Sequence, residues 1–270
     1  MGKVAAIQSN ASGSIEENLM VLEAQITKAV AAGAELVLLP EHCMGQPINI
    51  LALTENFGDG IGQAAFASMA KKYRVWVVVG AMPIRMSDGH IYSTSVAYNS
   101  EGECVAHYNK MHLCHVTLDT SRQVQESDRF MPGRQVVAVD TPVGRVGLSI
   151  CYDLRFPELY RELSNDGVTI LLIPAAFLAY TGKSHWEVLL RARAIENTCY
   201  VVAANQYGAL PNGYEMYGYS QIVSPWGDVL DCLREGDGFV TADIEGACLQ
   251  DVRSRLPALE HRSIRSPGRG

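Results

Sequence analysis

Short runs of continuously apolar residues are the feature that most constrains the fold of this chain. Residues 36–39 and 75–79 are apolar at every position, and residues 169–173 are apolar after their first threonine. A strand with apolar side chains on both faces needs cover on both faces, as in a sheet that lies between other layers. The pattern therefore predicts a layered α/β sandwich.

Helices are predicted between these strands. The sequence Ser-Ile-Glu-Glu at residues 14–17 is a capping box, and apolar residues then recur at helical spacing until Gly33. A second capping box at residues 184–187 predicts a helix that runs from there through Asn197. Hairpins are predicted around residues 100–102 and 142–144, and they require antiparallel neighbours, so the sheets should be mixed.

Composition bounds the size and the class of the protein. A length of 270 residues with 48% hydrophobic residues suits one large core, so residues 1–270 are predicted to form a single domain. The net charge of −7 comes without a cluster of Lys or Arg, which argues against nucleic acid and against an anionic membrane surface as partners. A small-molecule substrate is the better expectation.

The cysteines and the amino terminus indicate a cytoplasmic protein. The first residues form a predicted strand, at residues 3–8, and lack the long apolar segment of a signal peptide. The seven cysteines are an odd number without a C-x-x-C pair, which favours reduced thiols over disulfides or a zinc site. Six of them are expected to be small buried side chains, and Cys151 is the exception.

Cys151 lies at the junction of an apolar strand, residues 145–150, with a polar turn and a predicted helix at residues 157–163. A thiol at the carboxyl end of a buried strand is fixed by the sheet while its sulfur faces a cleft, which suits a nucleophile. A buried structural thiol is the competing interpretation.

Two further strands end in charged residues. Glu41 follows the strand at residues 36–39, and burial in a cleft would raise the pKa of its carboxyl group toward that of a general base. Lys110 closes the second strand of the first hairpin, where a fixed positive charge could stabilise an oxyanion. Taken alone, each is more often a solvated surface residue.

Together these three segments resemble the signature blocks of the carbon-nitrogen hydrolases, the nitrilase superfamily. The blocks are Leu-Leu-Pro-Glu at residues 38–41, Tyr-Asn-Lys-Met-His-Leu at 108–113, and Cys-Tyr-Asp-Leu-Arg-Phe-Pro-Glu at 151–158. The resemblance implies a four-layer αββα sandwich that dimerises through its helices. It also implies Cys151 as nucleophile, Glu41 as general base, Lys110 as electrostatic stabiliser and the backbone N–H of Tyr152 as an oxyanion donor.

The same resemblance supplies an auxiliary carboxylate and a reaction. Glu126 matches an acidic residue that positions the lysine or the substrate, although it could be an ordinary loop glutamate. The implied reaction is hydrolysis of an amide through a thioester, and it requires no metal, nucleotide or other cofactor. His42, His112, His115 and His185 follow no metal-ligand spacing, so no metal site is expected.

The substrate is expected to be a small acid that carries an amide. Residues 125–133 and 181–197 resemble the branch of deaminated-glutathione amidases and of omega-amidases of 2-oxo acid amides. Arg155 and Phe177 are candidate substrate-binding residues, and Arg191 or Arg193 is a further candidate, although structural ion pairs are the commoner role for such arginines.

Other functions stay open at this stage. N-carbamoyl compounds or nitriles could be processed by the same three residues. A Cys-His hydrolase could pair Cys151 with one of the seven histidines, but the elbow sequence G-x-C-x-G is absent around the cysteine. A non-catalytic binding protein on the same fold is an alternative of another class.

Overall fold

The computed structural model describes residues 2–45, 47–117, 123–210 and 213–264. The strands are β1 (Lys3–Gln8), β2 (Ala34–Leu38), β3 (Glu55–Asn56), β4 (Trp76–Arg85), β5 (Ile91–Tyr98), β6 (Cys104–Asn109), β7 (His115–Thr117), β8 (Gln123–Gln125), β9 (Ala138–Thr141), β10 (Gly144–Leu148), β11 (Ile170–Ala175), β12 (Tyr200–Asn205), β13 (Tyr207–Ala209), β14 (Glu215–Tyr217), β15 (Ser220–Val223), β16 (Val229–Leu233) and β17 (Gly238–Asp243). The helices are α1 (Ile15–Ala31), α2 (Ile61–Tyr73), α3 (Pro157–Asn165), α4 (Ala179–Asn197) and α5 (Gly246–Arg255).

Most of the strands form two mixed sheets. The first has the order β17-β1-β2-β4-β5-β6, with β3 paired to β4, and the second has the order β16-β15-β12-β11-β10-β9. In each sheet the central strands are parallel, namely β1, β2 and β4 in the first and β10, β11 and β12 in the second, while the outer pairs are antiparallel. The carboxyl ends of the parallel strands therefore gather at one edge of each sheet.

The alternation of side chains along β1 shows how the layers are held together. Ala5 and Ile7 pack with Leu22 of α1 and Phe66 of α2, on the outer face of the first sheet. Val4 and Ala6 point the other way, into a core shared with the second sheet. That shared core also includes apolar residues of α3 and α4, among them Leu163, Trp186 and Leu190. The predicted four-layer αββα sandwich is confirmed.

Sequence patterns located one helix start well and misplaced another. The capping box at Ser14 and Glu17 is confirmed, with the Glu17 N–H donating to Ser14 Oγ at 3.2 Å and the Ser14 N–H donating to Glu17 Oε2 at 2.8 Å. The capping box predicted at residues 184–187 is wrong, because α4 already begins at Ala179, where the Leu178 carbonyl accepts from the Gly182 N–H at 2.8 Å.

The cysteines are less uniformly buried than expected. All seven are free, as predicted, but only Cys43, Cys151 and Cys199 are buried, whereas Cys104 is exposed and the others are intermediate. Among the described residues, no helix is long and apolar enough to cross a membrane.

Candidate active site

Cys151 begins a short 3-10 turn, Cys151–Arg155, two residues after β10 ends. Its φ angle is 47°, in the left-handed region that non-glycine residues rarely occupy. Such strain is retained where the surrounding structure enforces it, which is common at functional sites. Cys151 is 9% exposed, and its thiol lies close enough to the Glu41 carboxylate for that charge to raise the pKa of the thiol. The turn thus points the sulfur at the residue that the sequence predicted as its base.

Glu41 is held from both sheets. It follows β2 through Leu39 and Pro40 and is 2% exposed. Its Oε2 accepts from the backbone N–H of Ala176, just after β11, at 2.9 Å. Its carbonyl oxygen accepts from Gln206 Nε2, just after β12, at 2.7 Å. These contacts fix both the main chain and the carboxylate of Glu41 against the second sheet.

Lys110 directly follows β6 and is 1% exposed. Its Nζ lies 2.9 Å from Glu41 Oε1 and 2.9 Å from Glu126 Oε1. The other oxygen of Glu126 accepts from the backbone N–H of Cys114 at 2.7 Å. Glu126 therefore provides a second anchor for the ammonium of Lys110, besides Glu41. The structure brings together the four side chains that the sequence singled out: Glu41, Lys110, Glu126 and Cys151.

The proton in this cluster resides on the sulfur. Burial alone would raise the pKa of Glu41, but the charge of Lys110 and hydrogen bonds from the Cys151 thiol and from Lys110 lower it to about 2. The expectation of a raised pKa for Glu41 is therefore wrong, because the neighbouring groups together outweigh desolvation, although burial is the largest single cause. Burial, and then the charge of Glu41, raise the pKa of the Cys151 thiol well above its usual value.

Lys110 remains charged in the same environment. Burial would lower the pKa of its ammonium, but the carboxylates of Glu126 and Glu41 raise it well above its usual value. The resting cluster thus consists of a neutral thiol, a carboxylate and an ammonium. An ammonium fixed beside the sulfur is ready to receive negative charge that develops there.

Asp153 ties the turn of Cys151 to the segment that carries Lys110. It is fully buried, and its Oδ2 accepts from the Ile150 N–H at 2.9 Å and from the Tyr108 hydroxyl at 2.8 Å. Its Oδ1 accepts from the His112 N–H at 3.0 Å and lies 2.7 Å from His112 Nδ1. One carboxylate therefore links the residue before the nucleophile with residues on both sides of Lys110. No sequence pattern singled out Asp153.

Cys151, Glu41 and Glu126 line a cavity of about 450 Å³. This volume falls within the range of small-molecule sites. A separate cavity of about 570 Å³, lined by Met86, Tyr92 and Arg134 among others, contains none of these three residues.

Two predicted substrate-binding residues lie outside the described lining of the 450 Å³ cavity. The Arg155 guanidinium is 5.0 Å from the ring centre of Phe177 and 5.5 Å from that of Tyr152, and its Nη1 lies 3.1 Å from His185 Nδ1. Phe177 is 3% exposed and packs against Trp186. Tyr152 follows Cys151 in the first turn of the 3-10 segment, where backbone N–H groups have no acceptor within the turn.

Sequence analysis missed several residues of the cavity wall: His42, Cys114, Arg129, Phe130, Tyr214 and Met216. His42 was the easiest to find, because it directly follows Glu41. It is 8% exposed, and within the described residues its Nδ1 has no hydrogen-bond partner. Burial lowers the pKa of His42 from its usual 6.5, so its ring is neutral at neutral pH.

Glu41, His42 and Glu126 are also close enough to hold a metal ion. One ligand atom from each residue lies within 4.8 Å of the others. The Lys110 ammonium, however, lies 2.9 Å from an oxygen of both carboxylates and already supplies the positive charge between them. A metal would have to displace the lysine, so the donor set fits a cation poorly.

Comparisons with known proteins agree with this geometry. A family model described as carbon-nitrogen hydrolase matches residues 3–254. A deaminated glutathione amidase of Synechocystis sp. is 39% identical over 271 residues, which cover 96% of this chain and 97% of the relative.

Two solved structures share the fold. The NitFhit protein of C. elegans has a TM-score of 0.89 and 34% identity, over 97% of this chain and 65% of the NitFhit chain, so this chain spans just under two thirds of it. Nit3 of Saccharomyces cerevisiae, described as a member of branch 10 of the nitrilase superfamily, has a TM-score of 0.84 and 28% identity over 94% of both chains.

Proposed function

The chain belongs to the carbon-nitrogen hydrolase family and is an amidase, and we propose that it cleaves the amide bond of a small carboxylate-bearing acid through a thioester on Cys151. One observation carries the proposal. In the cavity wall the Cys151 thiol lies beside the Glu41 carboxylate, which also contacts the Lys110 ammonium. A nucleophile, its proton acceptor and a charge stabiliser are therefore adjacent.

Acylation begins with attack of the sulfur on the amide carbon. The S–C bond forms as the thiol proton passes to Glu41. This transfer must accompany bond formation, because the pKa of the resting thiol is raised and that of Glu41 is lowered. Negative charge moves to the carbonyl oxygen, where Lys110 and the Tyr152 N–H stabilise it. The loss of one such donor typically costs about 10² to 10³ in rate.

Collapse of this intermediate breaks the C–N bond. Glu41 returns its proton to the departing nitrogen, so ammonia or an amine leaves and an acyl-thioester remains on Cys151. A water molecule then attacks the thioester carbon and transfers a proton to Glu41. The C–S bond breaks, the thiolate takes the proton back, and the acid is released. Each step uses only side chains and backbone groups of this chain, together with water.

For the substrate we propose deaminated glutathione or a related 2-oxo acid omega-amide. The name of the Synechocystis relative supports the first of these. A cavity of about 450 Å³ has room for a small acid of this kind.

A substrate panel tests this assignment. Purified protein is assayed for amine or ammonia release from deaminated glutathione, 2-oxo acid amides, N-carbamoyl acids and nitriles, with Cys151→Ala as the blank. We expect turnover of deaminated glutathione or the 2-oxo acid amides. If both are inert and carbamoyl compounds are cleaved, the assignment is wrong.

A cytoplasmic location is proposed on the basis of the cysteines. All seven are free, including the exposed Cys104. Free thiols on the surface persist in a reducing compartment and tend to oxidise elsewhere. Fractionation of the source cells, with the protein detected by antibody, checks this expectation.

A further inference from the structure

The catalytic end of the cavity is unfavourable for the carboxylate of a substrate. Glu41 and Glu126 bring two carboxylates there, and Lys110 brings one ammonium, which lies 2.9 Å from both. A substrate carboxylate near these groups would meet an excess of negative charge at close range. If the scissile amide lies at Cys151, the carboxylate of the same substrate must therefore contact a different part of the wall.

Arg129 supplies a positive charge in that wall. Among the described residues that line the cavity, it is the only Arg or Lys. Its charge also acts on His42, another residue of the wall. Burial is the main cause that lowers the pKa of His42, and the charges of Lys110 and Arg129 add to it. Arg129 is exposed to solvent as well as lining the cavity.

The position of Arg129 is coupled to the catalytic cluster. It follows the 3-10 turn Glu126–Asp128, and its backbone N–H donates to the Glu126 carbonyl at 2.9 Å. The next residue, Phe130, donates to the same carbonyl at 2.9 Å, is 4% exposed and also lines the cavity. The side chain of Glu126 holds Lys110, so a single short turn places both a catalytic contact and the cavity arginine.

We infer that Arg129 binds the carboxylate of the substrate and so selects anionic over neutral amides. The inference rests on the proposed function and deepens it, since it names the residue behind the substrate class. A guanidinium matches a carboxylate with two parallel hydrogen bonds, which gives both affinity and orientation. Arg155, which the sequence suggested for this role, instead contacts His185 and two aromatic rings outside the described cavity wall.

A matched pair of substrates tests the inference. Succinamate and butanamide have the same chain length and the same amide, but only succinamate carries a carboxylate. We expect Arg129→Met to raise KM for succinamate roughly ten- to hundredfold, with little change in kcat and with butanamide changed less than about twofold. Arg129→Lys should keep part of the preference, because it retains the charge and loses the paired hydrogen bonds.

Two other arginines complete the design. Arg134→Met is the matched control, since Arg134 lies five residues further along the same segment and lines the separate cavity, so both substrates should be unaffected. Arg155→Met tests the competing assignment, in which Arg155 binds the substrate carboxylate. The inference would be overturned if kcat/KM for succinamate fell selectively in Arg155→Met but not in Arg129→Met. It would also be overturned if Arg129→Met lowered kcat/KM equally for succinamate and butanamide.

Binding separates this inference from the proposed function. In the Cys151→Ala background, calorimetry compares succinamate and butanamide with and without Arg129→Met. Tighter binding of succinamate that depends on Arg129 supports the inference even if the wild type hydrolyses neither amide, in which case only the proposed function fails. Binding of succinamate that is unchanged by Arg129→Met overturns the inference whatever the turnover.

Discussion

At the scale of single residues, the site is governed by the charge that Lys110 places beside two carboxylates, the buried Glu41 and the partly buried Glu126. The same ammonium that keeps Glu41 ionised lies beside the sulfur that must become nucleophilic. Glu41 is consequently a weak base in the resting state, and it accepts the thiol proton only as the S–C bond forms. This differs from a cysteine site that stores a thiolate.

The pH profile follows from these protonation states. The titratable groups that act on the sulfur are Glu41, Lys110 and Cys114, and His42, Glu126 and Arg129 line the same cavity. The pKa of Glu41 is lowered to about 2, that of His42 lies below 6.5, and those of Cys151 and Lys110 are raised above 9.0 and 10.5. On a neutral amide we therefore expect kcat/KM to be level between pH 6.5 and 9.0.

Stopped assays of ammonia release across that range check the expectation. The direction in which the rate changes with pH is informative, because a stored thiolate would make the rate rise as the pH passes the pKa of the cysteine. A rate that climbs between pH 6.5 and 9.0 would contradict the protonation states described above.

Asp153 is a positioning residue in this account. Asp153→Asn replaces one acceptor oxygen by an amide nitrogen, which cannot accept a hydrogen bond. A buried donor, such as the Ile150 N–H or the Tyr108 hydroxyl, then faces another donor. We expect the free energy of unfolding to fall by about 1–3 kcal/mol and kcat to fall more than tenfold, with KM for a neutral amide little changed.

Urea unfolding and steady-state kinetics measure both effects. The control is Asp166→Asn, which removes a carboxylate whose partner Arg145 lies at the surface, and it should leave both quantities nearly unchanged. If Asp153→Asn lowers stability and leaves kcat intact, the residue holds the fold together without positioning the nucleophile.

At the scale of secondary structure, close approach of two strands positions Glu41. Gly80 lies in β4, and a Cβ atom there would be 2.3 Å from the Pro40 carbonyl carbon and 2.6 Å from the Glu41 nitrogen. The neighbouring Ala81 carbonyl accepts from the His42 N–H at 3.2 Å. Only glycine allows β4 to pass this close to the end of β2.

Gly80→Ala should therefore push Glu41 away from the sulfur. We expect a loss of about 1–3 kcal/mol in the free energy of unfolding and at least a tenfold fall in kcat, because the displaced atoms belong to the main chain of the catalytic segment. Gly89→Asn is the control, since nothing lies within 4 Å of its Cβ position and asparagine tolerates its φ of 83°. Normal kcat in Gly80→Ala would refute this role of the strand contact.

The sequence predicted the elements that position the catalytic residues and missed those that shape the pocket. The strand before Glu41 was predictable because it is continuously apolar and then turns polar, and the strand before Cys151 because it is mostly apolar and then turns polar. The short pair β13 and β14, which carries Met216 of the cavity wall, was missed because three-residue strands carry little periodicity. His42 and Arg129 lie in turns whose placement depends on distant contacts, so local patterns do not indicate them.

At the scale of the whole molecule, the two sheets share one apolar core. Residues from the inner face of the first sheet, such as Val4 and Leu38, belong to the same cluster as Leu148 and Ile173 of the second. This supports the proposal that the chain forms a single domain. It also explains why Glu41 and Cys151, which come from different sheets, keep a fixed separation.

A stripe of exposed apolar residues on α4 supports a homodimer. Tyr180, Val188 and Ile195 are 71%, 67% and 44% exposed and are spaced eight and seven residues apart, which places them on one helical face. Trp226, 51% exposed, follows on a turn that Arg191 holds against α4 through the Gly227 carbonyl. We propose that a second copy of the chain covers this stripe, as the family resemblance implies.

Light scattering after size exclusion tests the proposal. The wild type should have at least twice the chain mass of 29.4 kDa, and Val188→Glu should shift it toward the monomer. The matched control is Val105→Glu, at a site 41% exposed on β6, and it should leave the mass unchanged. A wild type that is monomeric at micromolar concentration would rule the dimer out.

The central claim is that Cys151 carries the acyl group during turnover. The most direct measurement is the intact mass of the protein after an acid quench in the steady state, followed by peptide mapping. The account predicts an added mass equal to the acyl group of the substrate, located on Cys151 and absent from both Cys151→Ala and Glu41→Gln, with turnover lost in the two variants. Amide hydrolysis that persists in Cys151→Ala, or an acyl group found on another residue, would contradict it.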